Sequence, residues 1–129
     1  MSRLSASDAA FLEEPHAGVF TTIRPDGSPH TAPVRFTWDA EEGLARVMTR
    51  SATRKVRNLL AGPASRVAIC QVWGPRWVTL EGTATVRDDP DRVAEGARRY
   101  AARYGALPPE PPGRVVIEIA VDRVMTLPR

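Results

Sequence analysis

The residues best suited to chemistry lie in the segment 47–59, where an alternating strand pattern ends in hydroxyl side chains and a helical pattern follows. The first turn of a helix has backbone N–H groups without partners and carries the positive end of the helix dipole. The hydroxyl and cationic side chains around this start are Thr49, Ser51, Thr53, Arg54 and Lys55. The combination predicts a site for a phosphate group. An ordinary capped helix, with Ser51 or Thr53 as its N-cap, explains the same pattern.

The use of lysine favours the phosphate interpretation. The chain has 18 Lys plus Arg residues, and Lys55 is the one lysine among them. The lysine ammonium is a compact charge on a flexible stem, whereas arginine presents a planar fork, so the two side chains are not interchangeable. A sequence that otherwise uses arginine for positive charge therefore keeps an ammonium at the predicted phosphate site.

Side-chain catalysis has little support elsewhere in the sequence. A Ser-His-Asp or Cys-His mechanism needs a nucleophile beside a base, and His16 and His30 lie in predicted turns without a nucleophile motif. These histidines and the single Cys70 do not form a metal-ligand set, so no metal is expected. Neither a GxGxxG nor a Walker pattern occurs. If the protein is an enzyme, a bound cofactor must supply the chemistry.

Length and composition predict one domain over residues 1–129. A chain of this length with 43% hydrophobic residues can bury roughly two thirds of its unfolded surface. The net charge of +3 is mildly basic, but the arginines are scattered, which argues against a nucleic-acid partner and leaves anionic small molecules as ligands. No apolar stretch is long enough to span a membrane, and the N-terminus lacks the apolar region of a signal peptide. With a single cysteine, we expect a cytoplasmic protein without a membrane partner.

The hydrophobic periodicity predicts a mainly β fold of the α+β type. The strand patterns fall at residues 19–23, 31–38, 44–49, 66–73, 77–87 and 114–121. Short helices are predicted at residues 5–14, after Thr53, and at 89–104, while the proline-rich segment 107–113 is predicted to be an extended linker. Cys70 is predicted to be buried in its strand. Six strands with short loops indicate a closed antiparallel barrel whose ends or gap the helices cover.

Two tryptophans form an unusual corner in this pattern. Trp73 and Trp77 bracket a tight Gly-Pro turn between two predicted strands. Two indoles at such a corner either plug the end of a barrel or form part of the wall around a flat ligand. Both interpretations are compatible with the sequence.

Three segments taken together resemble a known family, namely residues 21–30 with the following Pro33-Val34, residues 54–59, and residues 77–82. On these segments the chain resembles, over nearly its full length, the pyridoxamine 5'-phosphate oxidase-like split β-barrel family of flavin and deazaflavin oxidoreductases. It is similar in particular to the actinobacterial branch that uses the deazaflavin coenzyme F420 and to its biliverdin reductases, through residues 36–39, 45–47, 71–72, 76–77 and 114–118. The resemblance implies a homodimer of six-stranded antiparallel split β-barrels, the FMN-binding split barrel, with short flanking helices.

The resemblance also implies which residues bind the cofactor, in clefts between the two subunits. The residues that would hold the phosphate are Thr49, Arg50, Ser51 and Lys55, with Asn58 as a supporting polar group. Those that would line the ring are Pro33, Val34, Val47 and Met48. Arg76 and Trp77 would come from the partner subunit. Val34, Val47 and Met48 are equally ordinary residues for a barrel interior.

The function implied by the resemblance is hydride transfer from reduced coenzyme F420 to a small conjugated substrate such as biliverdin. Arg35 or Arg76 would pair with a substrate carboxylate or provide a cationic environment for proton donation, and the sequence does not choose between them. Two alternatives stay open. One is an FMN-dependent oxidoreductase of the same fold, and the other is a non-catalytic module that binds flavin or haem, with His16 or His30 as the axial ligand.

Overall fold

A computed structural model describes residues 4–62 and 65–127 of the chain. The helices are α1 (Ala6–Glu13), α2 (Arg54–Ala61) and α3 (Pro90–Tyr104). The strands are β1 (Gly18–Ile23), β2 (Pro29–Val34), β3 (Thr37–Asp39), β4 (Leu44–Arg50), β5 (Arg66–Trp73), β6 (Arg76–Arg87) and β7 (Arg114–Thr126). The seven strands form one antiparallel sheet in the order β2-β1-β5-β6-β7-β4-β3.

The strand count differs from the sequence prediction. The sequence predicts one strand over residues 31–38, but the structure divides it at Arg35 and Phe36 into β2 and β3. The Tyr104 hydroxyl accepts a hydrogen bond from the Phe36 N–H at 3.0 Å and donates one to the Phe36 carbonyl at 2.8 Å, so both backbone groups of Phe36 are used outside the sheet. Because β2 and β3 lie at opposite edges without pairing, the described sheet has seven strands and does not close into the predicted six-stranded barrel.

Local signals in the sequence explain the first two elements. Ser5 caps α1 by accepting a hydrogen bond from the Asp8 N–H at 3.0 Å. A hairpin joins β1 to β2, and Gly27 in its turn has a φ of +89° that favours glycine. Since β2 already begins at Pro29, His30 belongs to a strand and not to the predicted turn.

The last strand is longer than predicted. It runs on from residue 121 to Thr126 because β6 continues to pair with it past a bulge between Glu81 and Gly82. A Cβ atom on Gly82 would lie 2.1 Å from the carbonyl oxygen of Ala120. Only glycine therefore lets the two backbones approach this closely.

The hydrophobic core lies between the inner face of the sheet and α1. Its largest fully buried side chains include Phe11 and Leu12 of α1 and Phe20, Phe36, Ile69, Leu80 and Ile117. Gln71 is also buried and donates a hydrogen bond from Nε2 to the Phe11 carbonyl at 2.7 Å, which ties α1 to β5. Because residues alternate along a strand, Cys70 points to the opposite face from Gln71 and is half-buried, not fully buried as predicted.

Polar contacts in the interior fix the other two helices. Asn58 of α2 donates a hydrogen bond from Nδ2 to the Thr22 hydroxyl of β1 at 3.0 Å, and both side chains are buried. On α3, Arg99 lies 3.1 Å from Asp39, which also accepts a hydrogen bond from Arg46 at 2.9 Å. These contacts hold α2 beside β1 and hold α3 beside β3 and β4.

Candidate functional site

A cleft of about 370 Å³ opens between β2, β4, the start of α2, α3 and the proline-rich segment before β7. This volume lies within the range of small-molecule sites in proteins. The structure brings most of the predicted site residues together in its wall, namely Pro33, Val34, Arg35, Val47, Met48, Thr49, Arg50 and Lys55. The cleft has a cationic end, an apolar middle and a polar group on α3.

Lys55 dominates the cationic end. Its side chain is half-buried, and burial together with the charge of Arg50 lowers the pKa of its ammonium. Other buried or half-buried cations in the described residues make a hydrogen bond or ion pair within the chain, as Arg46 does with Asp39. For Lys55 no such partner is present in residues 4–62 and 65–127. A partly desolvated cation without a partner is unfavourable by itself and favours an anionic ligand.

Two arginines add to this charge. Arg50 at the end of β4 is paired across the ladder with Arg114 of β7, and both line the cleft. Like charges directly opposite each other destabilise a sheet unless something neutralises them. Arg114 has one ion pair, to Glu110 at 3.1 Å, and Glu110 is 79% exposed. An anion held between Lys55 and the two arginines would relieve this repulsion.

The start of α2 supplies donors beside these cations. Thr53 is the N-cap residue, as one of the two predictions had it, but its side chain makes no cap hydrogen bond. Its hydroxyl donates instead to the Arg50 carbonyl at 3.0 Å and lies 3.3 Å from the Thr49 hydroxyl. The backbone N–H groups in the first turn of α2 are therefore left without a side-chain acceptor, which is the arrangement that anion sites use.

The middle of the cleft is apolar. Val34 and Val47 are buried, and Met48 next to them is half-buried. Gly96 of α3 lies against Met48, since a Cβ atom there would lie 2.6 Å from the Met48 Sδ. Prolines of the segment before β7 form the opposite wall, at Pro108, Pro109 and Pro111. An apolar slot of this kind suits a flat ring.

The polar group is formed by Tyr100 of α3 and by Arg35, which directly follows β2. Arg35 donates a hydrogen bond from Nη1 to the Tyr100 hydroxyl at 3.0 Å, and its guanidinium lies 5.0 Å from the centre of the Tyr104 ring. The hydrogen bond to Tyr100 raises the pKa of the Arg35 guanidinium. A permanent cation with a hydroxyl beside it can bind or protonate an acceptor atom of a ligand.

Four of the predicted site residues lie outside the wall of this cleft. Ser51 donates its N–H to the Gly113 carbonyl at 2.8 Å and so anchors the end of the proline-rich segment. Asn58 is buried against Thr22, as described above. Arg76 contacts Ser7 at 2.8 Å and Asp8 at 3.0 Å, and Trp77 follows it on β6. The contribution of Arg76 and Trp77 to a partner's site stays a prediction.

Tyr100, Arg114 and the prolines also line the cleft, and none of them was among the predicted site residues. The prolines were visible as four in a short segment, but a linker prediction says nothing about what the linker covers. Tyr100 and Tyr104 have the four-residue spacing that brings side chains together on a helix. That spacing indicates that both tyrosines lie on the same face of α3, and in the structure this face contacts Arg35 and Phe36.

The antiparallel sheet with its short helices defines a protein of the split-barrel class, and comparison with known proteins agrees. Residues 4–127 match the family described as pyridoxamine 5'-phosphate oxidase. Over 124 residues, or 96% of this chain and 88% of the relative, the chain is 43% identical to the F420H(2)-dependent biliverdin reductase of Mycobacterium tuberculosis (strain CDC 1551 / Oshkosh). The chain belongs to the pyridoxamine 5'-phosphate oxidase family.

Solved structures confirm the fold class. An F420 reductase superposes with a TM-score of 0.73 at 27% identity, covering 95% of this chain and 98% of that one. HutZ, the heme storage protein of Vibrio cholerae, superposes with a TM-score of 0.74 at 16% identity, covering 96% and 94%. The second likeness shows the fold alone. The prediction of a mainly antiparallel split barrel with short helices is thus confirmed, with seven strands in place of six.

Two kinds of feature are absent from the described residues. None of the helices there is both long and apolar enough to cross a membrane. Within the same residues, no three His, Cys, Asp or Glu side chains are grouped in a way that could hold a metal ion.

Proposed function

We propose that this protein is a reductase that uses reduced coenzyme F420 to transfer a hydride to a small conjugated substrate. The observation that carries the proposal is the cationic end of the cleft, where Lys55 lacks an anionic partner in the described chain and Arg50 faces Arg114. The identity of 43% to an F420H(2)-dependent biliverdin reductase supports the deazaflavin over other cofactors.

The residues present fit a cofactor that has a flat ring and a phosphate. Lys55, Arg50 and the N–H groups at the start of α2 would hold the phosphate, because each is a donor that lacks an acceptor in this region. Val34, Val47 and Met48 would pack against the ring. Ser51 would act indirectly, because its N–H donates a hydrogen bond to the Gly113 carbonyl and so holds the proline-rich wall in place.

When bound, the reduced deazaflavin supplies a hydride, and the chain's own residues do the rest. The apolar walls keep water away from the reacting atoms, and they hold the substrate flat against the ring. Arg35 lies in the wall next to Val34, so its charge can stabilise negative charge that develops on the substrate. Arg76 is less suited to that role within its own subunit, because it is already paired with the buried Asp8.

Biliverdin is the substrate that we propose, since the relative named above acts on it. A tetrapyrrole is conjugated and carries carboxylates. Arg35 is exposed and has no carboxylate partner in the described part of the chain, so it can pair with one from the substrate.

We also propose that the protein works as a homodimer. A row of outward-facing residues crosses five strands through the paired positions Pro33, Val19, Cys70, Thr79 and Met125. Val72 lies two residues after Cys70 on β5, so it extends this outer row, and it is 47% exposed. Apolar surface of this extent on a sheet favours burial against a partner. Pro33 belongs both to the row and to the cleft, so a second copy seated on this face would lie at the mouth of the cofactor site.

Binding titrations of the apoprotein test the choice of cofactor. Coenzyme F420 and FMN would be added separately and followed by quenching of tryptophan fluorescence, and then reduced F420 would be mixed with biliverdin and its consumption measured. We expect tighter binding of F420 and substrate-dependent consumption. Tighter binding of FMN would assign the protein to the flavin-dependent alternative, and binding of neither cofactor would contradict the proposal.

A further inference from the structure

The two tyrosines of the chain, Tyr100 and Tyr104, lie one turn apart on α3 with their ring centres 4.8 Å apart. Their hydroxyls have different surroundings. The Tyr104 hydroxyl bonds to both backbone groups of Phe36 and accepts a third hydrogen bond from Arg103 Nε at 3.1 Å. Tyr100 lines the cleft, and its hydroxyl has one partner, Arg35.

Arg35 is the donor in the hydrogen bond between Arg35 and Tyr100, and this leaves the Tyr100 proton available. A guanidinium can only donate, so the Tyr100 oxygen is the acceptor and the Tyr100 proton is not used in the contact. Within residues 4–62 and 65–127 no other group accepts that proton. The Tyr104 ring at 5.0 Å holds the Arg35 guanidinium in place. Tyr100 therefore combines an available proton, a position in the cleft wall and a fixed cation at its oxygen.

We propose that Tyr100, with Arg35 behind it, donates the proton that accompanies hydride transfer to the substrate. This inference rests on the proposed function, because it requires reduced deazaflavin as the reductant. It assigns a role to a residue of α3 that the predicted set of cofactor contacts did not include.

In a conjugated substrate, the hydride and the proton add to different atoms. Hydride addition forms a C–H bond at one carbon, and the displaced π electrons collect on a nitrogen or oxygen atom at the other end of the conjugated system. That atom takes the Tyr100 proton as the Tyr100 O–H bond breaks, which leaves a phenolate. Arg35 stabilises the phenolate, and solvent returns the proton after the product leaves. The substrate gains two electrons and two hydrogens, and the reduced deazaflavin is oxidised.

The structure provides a matched pair of variants for the test. Tyr100→Phe removes the hydroxyl that faces the cleft, and Tyr104→Phe removes the hydroxyl of the same residue type one turn away. We expect Tyr100→Phe to lower kcat by about 10²- to 10⁴-fold, the usual contribution of a general acid, with an unchanged Kd for F420 and a larger solvent isotope effect on kcat. We expect Tyr104→Phe to lower Tm, because the Phe36 backbone loses its partners, and to lower kcat far less than Tyr100→Phe does, because the ring next to Arg35 is kept.

The outcomes separate this proposal from the proposed function. If the wild-type protein does not oxidise reduced F420 in the presence of biliverdin, both fail. If the wild type is active and Tyr100→Phe keeps its kcat and isotope effect, the role of Tyr100 is refuted while the reductase function stands. A fall in kcat of the same size in both variants would assign the effect to the packing of α3 and would also refute the role.

A second measurement does not depend on turnover. Because the chain has only two tyrosines, the two Phe variants assign both ring signals in an NMR spectrum of the apoprotein. Addition of biliverdin should shift the Tyr100 ring signals and leave those of Tyr104 nearly unchanged. Bound biliverdin without a shift at Tyr100 would overturn the proposal.

Discussion

Replacing Lys55 by methionine tests the electrostatic argument for the cofactor site most directly. Methionine keeps a long unbranched side chain and removes the charge. Lys55 is half-buried and unpaired in the described chain, and burial lowers the pKa of its ammonium, so the folded apoprotein disfavours the charged form. The substitution should therefore weaken the binding of a phosphate without weakening the fold.

The expected size follows from the contact that would be lost. A hydrogen bond to a charged group contributes about 1.5–3 kcal/mol, and each 1.4 kcal/mol or so is tenfold in affinity. The Kd for F420 should therefore rise by about 10- to 150-fold. The Tm of the apoprotein at neutral pH should stay the same or rise, because a cation whose folded-state pKa lies below its unfolded value opposes folding at pH values below the folded pKa. That effect declines as the pH rises above the folded pKa and is gone above the unfolded pKa.

Arg54 provides the control for this variant. It precedes Lys55 on α2, is exposed, and does not line the cleft. Arg54→Met removes one positive charge from the same helix, so it has the same effect on net charge. Fluorescence titration of F420 into both variants should give a large rise in Kd for Lys55→Met and a small one for Arg54→Met. If the Kd for F420 rises equally in both variants, Lys55 acts only through the net charge of the protein. If the Kd of Lys55→Met is unchanged, Lys55 does not contact the cofactor.

Two further predictions concern the dimer and the packing of α3. Val72→Glu places a charge on the exposed apolar row of the sheet; we expect monomers in sedimentation velocity and a loss of F420 binding with them, and a fully active monomer would contradict the shared cleft. Asp39→Asn removes the charge that Arg46 and Arg99 share, which should cost about 3–5 kcal/mol of unfolding free energy in a urea titration. Burial alone raises the pKa of Asp39, but the hydrogen bonds from Arg46 and the Glu42 N–H, with the charge of Arg99, lower it on balance. This contribution is therefore lost as the pH falls below 3.8 through the folded pKa, where wild type and variant should converge.

The parts of the fold that could be predicted depend on local chemistry. A serine before α1, a Pro-Asp-Gly turn between β1 and β2, and a proline at the start of α3 each specify backbone conformation within a few residues. The cationic end of the cleft was predictable for the same reason, since Thr49, Arg50 and Lys55 lie close together in sequence and meet at one helix start.

What could not be predicted depends on contacts between distant residues. The break between β2 and β3 exists because Tyr104, 68 residues away, binds the backbone of Phe36. The place of Arg114 in the cleft follows from its register opposite Arg50 in the β4–β7 ladder. No periodicity within a single element encodes either contact, because strand register and helix docking are set by packing across the sheet.

The acceptors that the chain supplies for its buried cations bear on the proposed function. The buried Arg46 is paired with Asp39, and Arg103 donates to main-chain carbonyls of α1 and the segment after it and to Gln71. Elsewhere in the described interior the chain thus supplies acceptors for the arginines that it buries, as a stable fold requires. Lys55 is different, because the described chain supplies no acceptor for its ammonium. It lies in the cleft beside the uncapped start of α2, the opposed pair Arg50 and Arg114, and the apolar slot. Arg46 and Arg103 each have at least one acceptor within the described chain and Lys55 has none, which supports the proposal that an anion binds at this end of the cleft.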